Sequence, residues 1–308
     1  EYQLRDVVHE LNRAGARLAR EAADRFSTPN HPRFVAGSVG PTGKSASLSP
    51  NVSNPAARNV TFEELRQAYR EQIEALLEGG VDILLIETIF DTLNAKAALY
   101  AIEELNEERG TQIPTMISAT ITDASGRILS GQTLEAFLIS VAHFRPISLG
   151  LNCALGAREM RPYLELLARK TPYFVSVHPN AGLPNQFGEY DDSPEQMGQT
   201  VREFMEQGWV NIIGGCCGTT PDHIRTFARM AAQSQPRVPG AQKPVLEVSG
   251  LEPLTIGAES NFINIGERCN VAGSRKFARL IREEKFEEAL SVARAQAENG
   301  AQVIDVNM

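Results

Sequence analysis

Three cysteines are the residues here whose type and spacing most clearly suggest chemistry. Cys216 and Cys217 stand side by side at the end of the apolar run Val210-Asn-Ile-Ile-Gly-Gly, and Gly218-Thr-Thr follows them. A disulfide between neighbours is disfavoured, because a trans peptide sets their Cα atoms ~3.8 Å apart whereas disulfides prefer about 4.4 to 6.8 Å. Neighbours in a regular strand also point to opposite faces. Both sulfurs therefore reach one soft metal ion only where the strand ends and the backbone turns, and Gly214, Gly215 and Gly218 permit a turn. Cys153 closes a similar run, Ile147-Ser-Leu-Gly-Leu-Asn152. Three thiolates at strand ends suit a zinc site with one open position. Two other readings stay open: buried cysteines acting as small hydrophobes, and a closed structural site with histidine as the fourth ligand. His178, after an apolar run, is the better candidate. His223 sits at N3 of a helix begun by Thr220-Pro221, where a first-turn surface residue is expected.

Glu87 is the second candidate. It ends the run Ile83-Leu-Leu-Ile, with Thr88 next, and a carboxylate buried there needs a cation. A substrate ammonium, a barrel arginine or a capping role for the next helix would each answer that need. Asp123, Asp191 and Asp192 read as loop or capping residues. The stretch from Gly37 to Ser45 imitates a phosphate-binding loop but encloses five residues between its glycines instead of four, and no helix follows Lys44.

An alternating pattern of elements must carry these residues. An amphipathic helix over 3–26 precedes a strand over 33–40 and a long loop over 41–59. Thr61-Phe-Glu-Glu64 is a capping box. Strands then fall at 81–88, 114–121, 147–153, 173–177 and 210–215, with helices after each. Apolar strands separated by helices indicate a parallel sheet covered on both faces. Six strands, each followed by a helix, fit an α/β (βα)8 TIM-type barrel lacking its first two strands. Glu87, Thr88, Asn152, Cys153, His178, Asn180, Cys216 and Cys217 all fall at strand C-terminal ends, where such barrels do chemistry. A doubly wound sheet would also place ligands there.

Residues 1–234 read as this first domain. Pro236, Pro239, Gly240, Pro244, Gly250 and Pro253 mark 235–257 as a linker. A strand from Asn261, a helix over 277–299 and a strand over 302–306 give 258–308 the β-α-β start of a second barrel. Both ends of the chain read as cut. Of the 308 residues, 42% are hydrophobic and 22% charged, and the net charge of −8 argues against nucleic acid or an anionic membrane as partner. No stretch is apolar enough to span a bilayer. Four cysteines make no disulfide framework, and with no signal peptide a cytoplasmic location is expected.

Gly150-Leu-Asn152-Cys153 with Gly214-Gly-Cys216-Cys217-Gly-Thr resembles the homocysteine S-methyltransferase domain. Phe262 to Arg275 and Gly300 to Met308 resemble the opening of a pterin-binding barrel. The two in this order are similar to the cobalamin-dependent methionine synthases. The resemblance implies that Cys153, Cys216 and Cys217 bind zinc, that homocysteine sulfur takes the fourth position, and that Glu87 holds its amino group beside Thr88. It implies an orienting role for Asn152 beside the metal, and folate contacts at Gly273, Ser274, Arg275 and Asn307. Cys269 matches no zinc position and reads as an ordinary free cysteine. The implied reaction is methyl transfer to homocysteine from methylcobalamin, held on a cobalamin module of the complete protein, with methyltetrahydrofolate as the ultimate donor. Alternatives are a cobalamin-independent enzyme using betaine or S-methylmethionine, for which a pterin domain has no use, and a non-catalytic zinc scaffold.

Overall fold

The computed structural model describes residues 4–123, 125–241 and 245–308. The expected helix start at Gln3 and the linker residue Pro244 lie outside the described residues. The chain divides into two compact units, 1–254 and 255–308.

In the first unit, β1 (Ala36–Val39), β2 (Ile83–Ile89), β3 (Thr115–Ala119), β4 (Ser148–Gly156), β5 (Phe174–Asn180) and β6 (Ile212–Ile213) form one parallel sheet in chain order. A doubly wound sheet reverses its strand order at a switch point, so the unbroken order selects the TIM-type arrangement, with six of its eight strands. The outer strands are shorter than the apolar runs suggested. β1 spans 36–39 rather than 33–40, and β6 only 212–213, because each has a partner on one side alone.

Helix α1 (Val8–Phe26) precedes β1, and α2 (Phe62–Glu78), α3 (Thr92–Arg109), α4 (Leu134–Val141), α5 (Ala157–Lys170), α6 (Pro194–Glu206) and α7 (Pro221–Ala231) follow the six strands in turn. Local sequence starts them. Thr61 accepts the Glu64 amide proton while Glu64 accepts from the Thr61 amide at 2.8 Å, which completes the capping box. Ser193 and Gln196 repeat the motif at α6, and Asp91 caps α3 through Leu93 N–H at 2.9 Å. Leu84, Ile86 and Ile89 of β2, Ile117 of β3, Leu149 and Leu151 of β4, and Val175 and Val177 of β5 belong to the buried core that the helices cover. The opposite face carries the polar residues Ser118, Asn152 and Ser176 with Gly150 among them, all buried.

Within 235–257, read from sequence as a linker, lies a hairpin of β7 (Leu246–Ser249) and β8 (Pro253–Ile256). It is held at its turn by Thr133 N–H to Leu251 O at 3.0 Å and Gln132 Nε2 to Gly250 O at 2.8 Å. Ahead of it, Arg237 is 6% exposed and has no carboxylate partner among the described residues. Its guanidinium donates to Ala168 O at 2.8 Å, Thr171 O at 2.6 Å and Tyr173 O at 2.8 Å, at the C-terminal end of α5, where carbonyls lack helical partners. Arg237→Ala strands those carbonyls, and a loss of about 2 to 4 kcal/mol in urea unfolding is expected. An unchanged midpoint would mean that water replaces the guanidinium.

In the second unit, β9 (Ile265–Asn270) pairs in parallel with β10 (Val303–Asn307). The single helix expected over 277–299 is instead two, α8 (Arg275–Arg282) and α9 (Phe286–Glu298). Glu284 between them is left-handed, φ +54°, and Lys285 N–H returns to Leu280 O at 2.9 Å to close α8. No glycine, asparagine or proline marks that break. Phe277, Leu280, Ala289 and Cys269 form this unit's core.

Candidate metal centre

Two departures from regular strand geometry assemble the site. In β4 the pairing with β5 shifts register between Asn152 and Gly156, and Cys153 and Ala154 there are left-handed, φ 60° and 59°. Such conformations cost non-glycine residues energy and persist only where surroundings enforce them. The turn carries the Cys153 sulfur to 3.8 Å from that of Cys217, which lies 4.0 Å from that of Cys216. Tetrahedral zinc with sulfur at about 2.3 Å requires sulfurs about 3.8 Å apart, so the three fit one ion. All three lie within 4.8 Å of one another, and among the described residues no histidine, carboxylate or fourth cysteine joins them.

The Cys216-Cys217 segment is fixed from β5. Cys216 N–H donates to Pro179 O at 2.9 Å, Cys217 N–H to Asn180 Oδ1 at 3.0 Å, and Ala181 N–H to Cys217 O at 2.9 Å. The glycines serve less uniformly than the sequence suggested. Gly218 alone of the three is left-handed, φ +77°, and the Tyr190 ring lies against it. Gly214 instead provides room, since a Cβ there would sit 2.6 Å from the His178 ring.

Burial, with the Cys153 and Cys217 charges adding to it, pushes the Cys216 thiol up to about 12. Without a cation Cys216 holds its proton at neutral pH. A divalent ion reverses that balance by ionising coordinated thiols.

His178 takes no part in the cluster. Burial lowers its pKa to about 4, so it is neutral at pH 7. The unfolded chain binds the proton near pH 6.5 and the folded chain only near 4. Stability from the neutral ring is therefore complete above the unfolded value and lost as pH falls through this window, by roughly 2 to 3 kcal/mol. His178→Gln is expected to flatten the pH dependence of the melting temperature between pH 6.5 and 4. An unchanged slope would assign acid sensitivity to other groups. His223 occupies N3 as expected, but it is 4% exposed and no surface residue: Nδ1 faces the Thr220 amide at 3.1 Å and Nε2 the Asp192 carbonyl at 2.9 Å. It joins α7 to the loop that carries Tyr190.

The second departure is in β2. Leu84, Ile86 and Ile89 all pack in the core, an odd step that requires an extra residue, and the pairing with β3 shifts there. Thr88 is left-handed, φ 55°. The bulge turns both Glu87 and Thr88 towards Asn152. Asn152 Nδ2 lies 2.8 Å from Thr88 Oγ1 and 3.4 Å from Glu87 Oε2, and Ser38 donates its hydroxyl to Glu87 Oε1. No ion pair to Glu87 occurs among the described residues, and Asp91, not Glu87, caps the following helix. Asp123 closes its own turn through Ser125 and Arg127 amides, Asp191 accepts from Asn185, and Asp192 N–H donates to Ala181 O.

In the second unit Gly273, Arg275 and Asn307 are exposed. Ser274 is buried and its hydroxyl is engaged as the α8 cap, accepting from Phe277 N–H at 3.2 Å. Asn270 pairs with Asn307, and its Oδ1 takes the amides of Ala272 and Gly273 at 2.8 and 3.0 Å. Cys269 is buried beside Gln296 Nε2 at 3.2 Å and is no member of the three-cysteine cluster. Residues that sequence reasoning did not single out include Ser38, Ser118, Thr120 and Tyr190. Serine and threonine within strands are too common to signal a site.

A family model described as homocysteine S-methyltransferase matches residues 1–231, and one described as pterin binding enzyme matches 266–308. Among solved structures, the homocysteine methyltransferase MmuM from Escherichia coli in its apo form is 23% identical with a TM-score of 0.56, covering 72% of this chain and 74% of that one. Its metallated form is 25% identical with a TM-score of 0.54, covering 73% and 71%.

Proposed function

The chain belongs to the homocysteine S-methyltransferase family, and from that premise we propose that Cys153, Cys216 and Cys217 bind one zinc ion in the service of methyl transfer to homocysteine, giving methionine. The observation that carries the reading is the convergence of three sulfurs with no fourth protein ligand among the described residues. Zinc bound to three thiolates supplies charge enough to remove a substrate thiol proton at neutral pH while leaving that sulfur electron-rich. The protein's own residues bind and orient the amino acid. Glu87 accepts the substrate ammonium, since it pairs with no cation among the described residues, and Ser38 and Asn152 hold its two carboxylate oxygens.

The second unit favours methyltetrahydrofolate as the ultimate donor, because a pterin binding match has no use in an enzyme drawing on betaine or S-methylmethionine. Gly273, Arg275 and Asn307 are its expected contacts, with Ser274 acting through the turn it caps. The immediate donor in this reading is methylcobalamin on a module outside these residues. Reduced thiols fit a cytoplasmic setting, and no described helix is long and apolar enough to cross a membrane.

Zinc-edge absorption with and without homocysteine tests the proposal. A change from three sulfur neighbours to four on adding homocysteine is expected. Four protein ligands before addition, and no change after it, would make the site a structural scaffold.

A further inference from the structure

We propose that Asn152 is a positioning residue that holds the amino-acid-binding carboxylate at a set place relative to the metal-binding turn, without touching substrate itself. It is 1% exposed, and its side chain has no hydrogen-bonding capacity left. Oδ1 accepts the Thr88 amide at 2.9 Å and the Ser118 hydroxyl at 2.7 Å, and Nδ2 faces Thr88 Oγ1 and Glu87 Oε2. Its carbonyl accepts the Thr120 hydroxyl at 2.5 Å. One residue thus joins the ends of β2, β3 and β4, immediately before Cys153.

The strain explains why such a residue is required. A left-handed β-branched residue is an outlier, and Thr88 is held there through both its amide and its hydroxyl by Asn152. That conformation makes the bulge in β2, and the bulge presents Glu87. On the other side the chain turns left-handed at Cys153, so the residue whose side chain holds Glu87 is also the chain neighbour of the first sulfur ligand. The amino group and the sulfur of one amino acid lie a fixed distance apart, and the enzyme must hold its two contacts at a matching distance. A shared buried anchor does so more rigidly than two independent supports.

The inference rests on the reading of Glu87 as ammonium partner, and a double-mutant cycle separates the two. Asn152→Asp keeps both acceptor bonds of Oδ1, removes the donor, and sets a second carboxylate beside Glu87. Ser118→Ala removes one support and leaves the site's charges untouched. With the zinc-loaded chain, titrations would use L-homocysteine and propanethiol, which lacks the amino group. Asn152→Asp is expected to weaken homocysteine about tenfold or more and Ser118→Ala by about threefold, with propanethiol and zinc content unchanged. In a Glu87→Gln background, Asn152→Asp should add little, because its effect passes through Glu87. Equal losses for both thiols, lost zinc, or additive losses in the double variant would overturn the positioning role while leaving Glu87 in place. If Glu87→Gln itself fails to distinguish the thiols, the ammonium reading falls and this inference with it.

Discussion

Each of Cys153→Ala, Cys216→Ala and Cys217→Ala is expected to lose stoichiometric zinc, whereas Cys269→Ala keeps it. The sulfurs of the three stand 3.8 and 4.0 Å apart along the chain of contacts Cys153, Cys217, Cys216, close to the spacing one tetrahedral ion imposes. Binding of structural zinc by four protein ligands is worth about 10 to 16 kcal/mol. Shared evenly over four, one ligand accounts for about 2.5 to 4 kcal/mol, a loss of about two to three orders of magnitude in affinity. No other described side chain stands ready to replace it. The two thiols that remain in each variant leave half of a tetrahedral ion's positions without a protein ligand. Metal analysis after dialysis against a weak chelator decides the matter for each position. Full occupancy in any one variant would remove that cysteine from the site. Cys269 serves as control because it lies in the second unit's core, beside Gln296.

Glu87→Gln is expected to separate amino-acid recognition from metal binding. Glutamine keeps the length and the oxygen that Ser38 meets, and it removes the charge. Loss of one partner from a desolvated charge pair costs about 2 to 5 kcal/mol, so homocysteine binding should weaken by a factor between about thirty and several thousand. Zinc content should stay at wild-type level, since no sulfur is altered. A thiol lacking the amino group never used the contact and should bind almost as before. Titrating wild-type and variant chains, zinc-loaded, with both thiols reads the difference directly. Equal losses for the two would assign Glu87 to the metal or to the fold, and its pairing with the ammonium would be withdrawn. The consequence reaches Ser38 and Asn152, whose contacts with Glu87 matter to recognition only if that carboxylate faces substrate.

The sequence by itself determined the architecture of the first unit, because what it needed was local and periodic. Apolar strands, amphipathic helices and the caps at Thr61 and Ser193 are written within a few residues of where they act, and their alternation fixes a parallel sheet. Strand ends are where loops face ligands in such sheets, so Glu87, Asn152 and the three cysteines were legible as candidates. The way they meet was not. Thr88 and Cys153 turn left-handed although neither residue type favours it, and no glycine marks either place. The Thr88 turn is enforced by Asn152, sixty-four positions away in sequence, and the Cys217 amide is held by Asn180, thirty-seven positions away. The burial of His223 and Arg237, and the hairpin within a proline-rich stretch, likewise depend on carbonyls supplied by distant segments. Strand order, which the alternation left open between a barrel and a doubly wound sheet, came only with the folded chain. The bulges that aim side chains into a shared site are chosen by hydrogen bonds between strands, and only the folded chain brings those partners together.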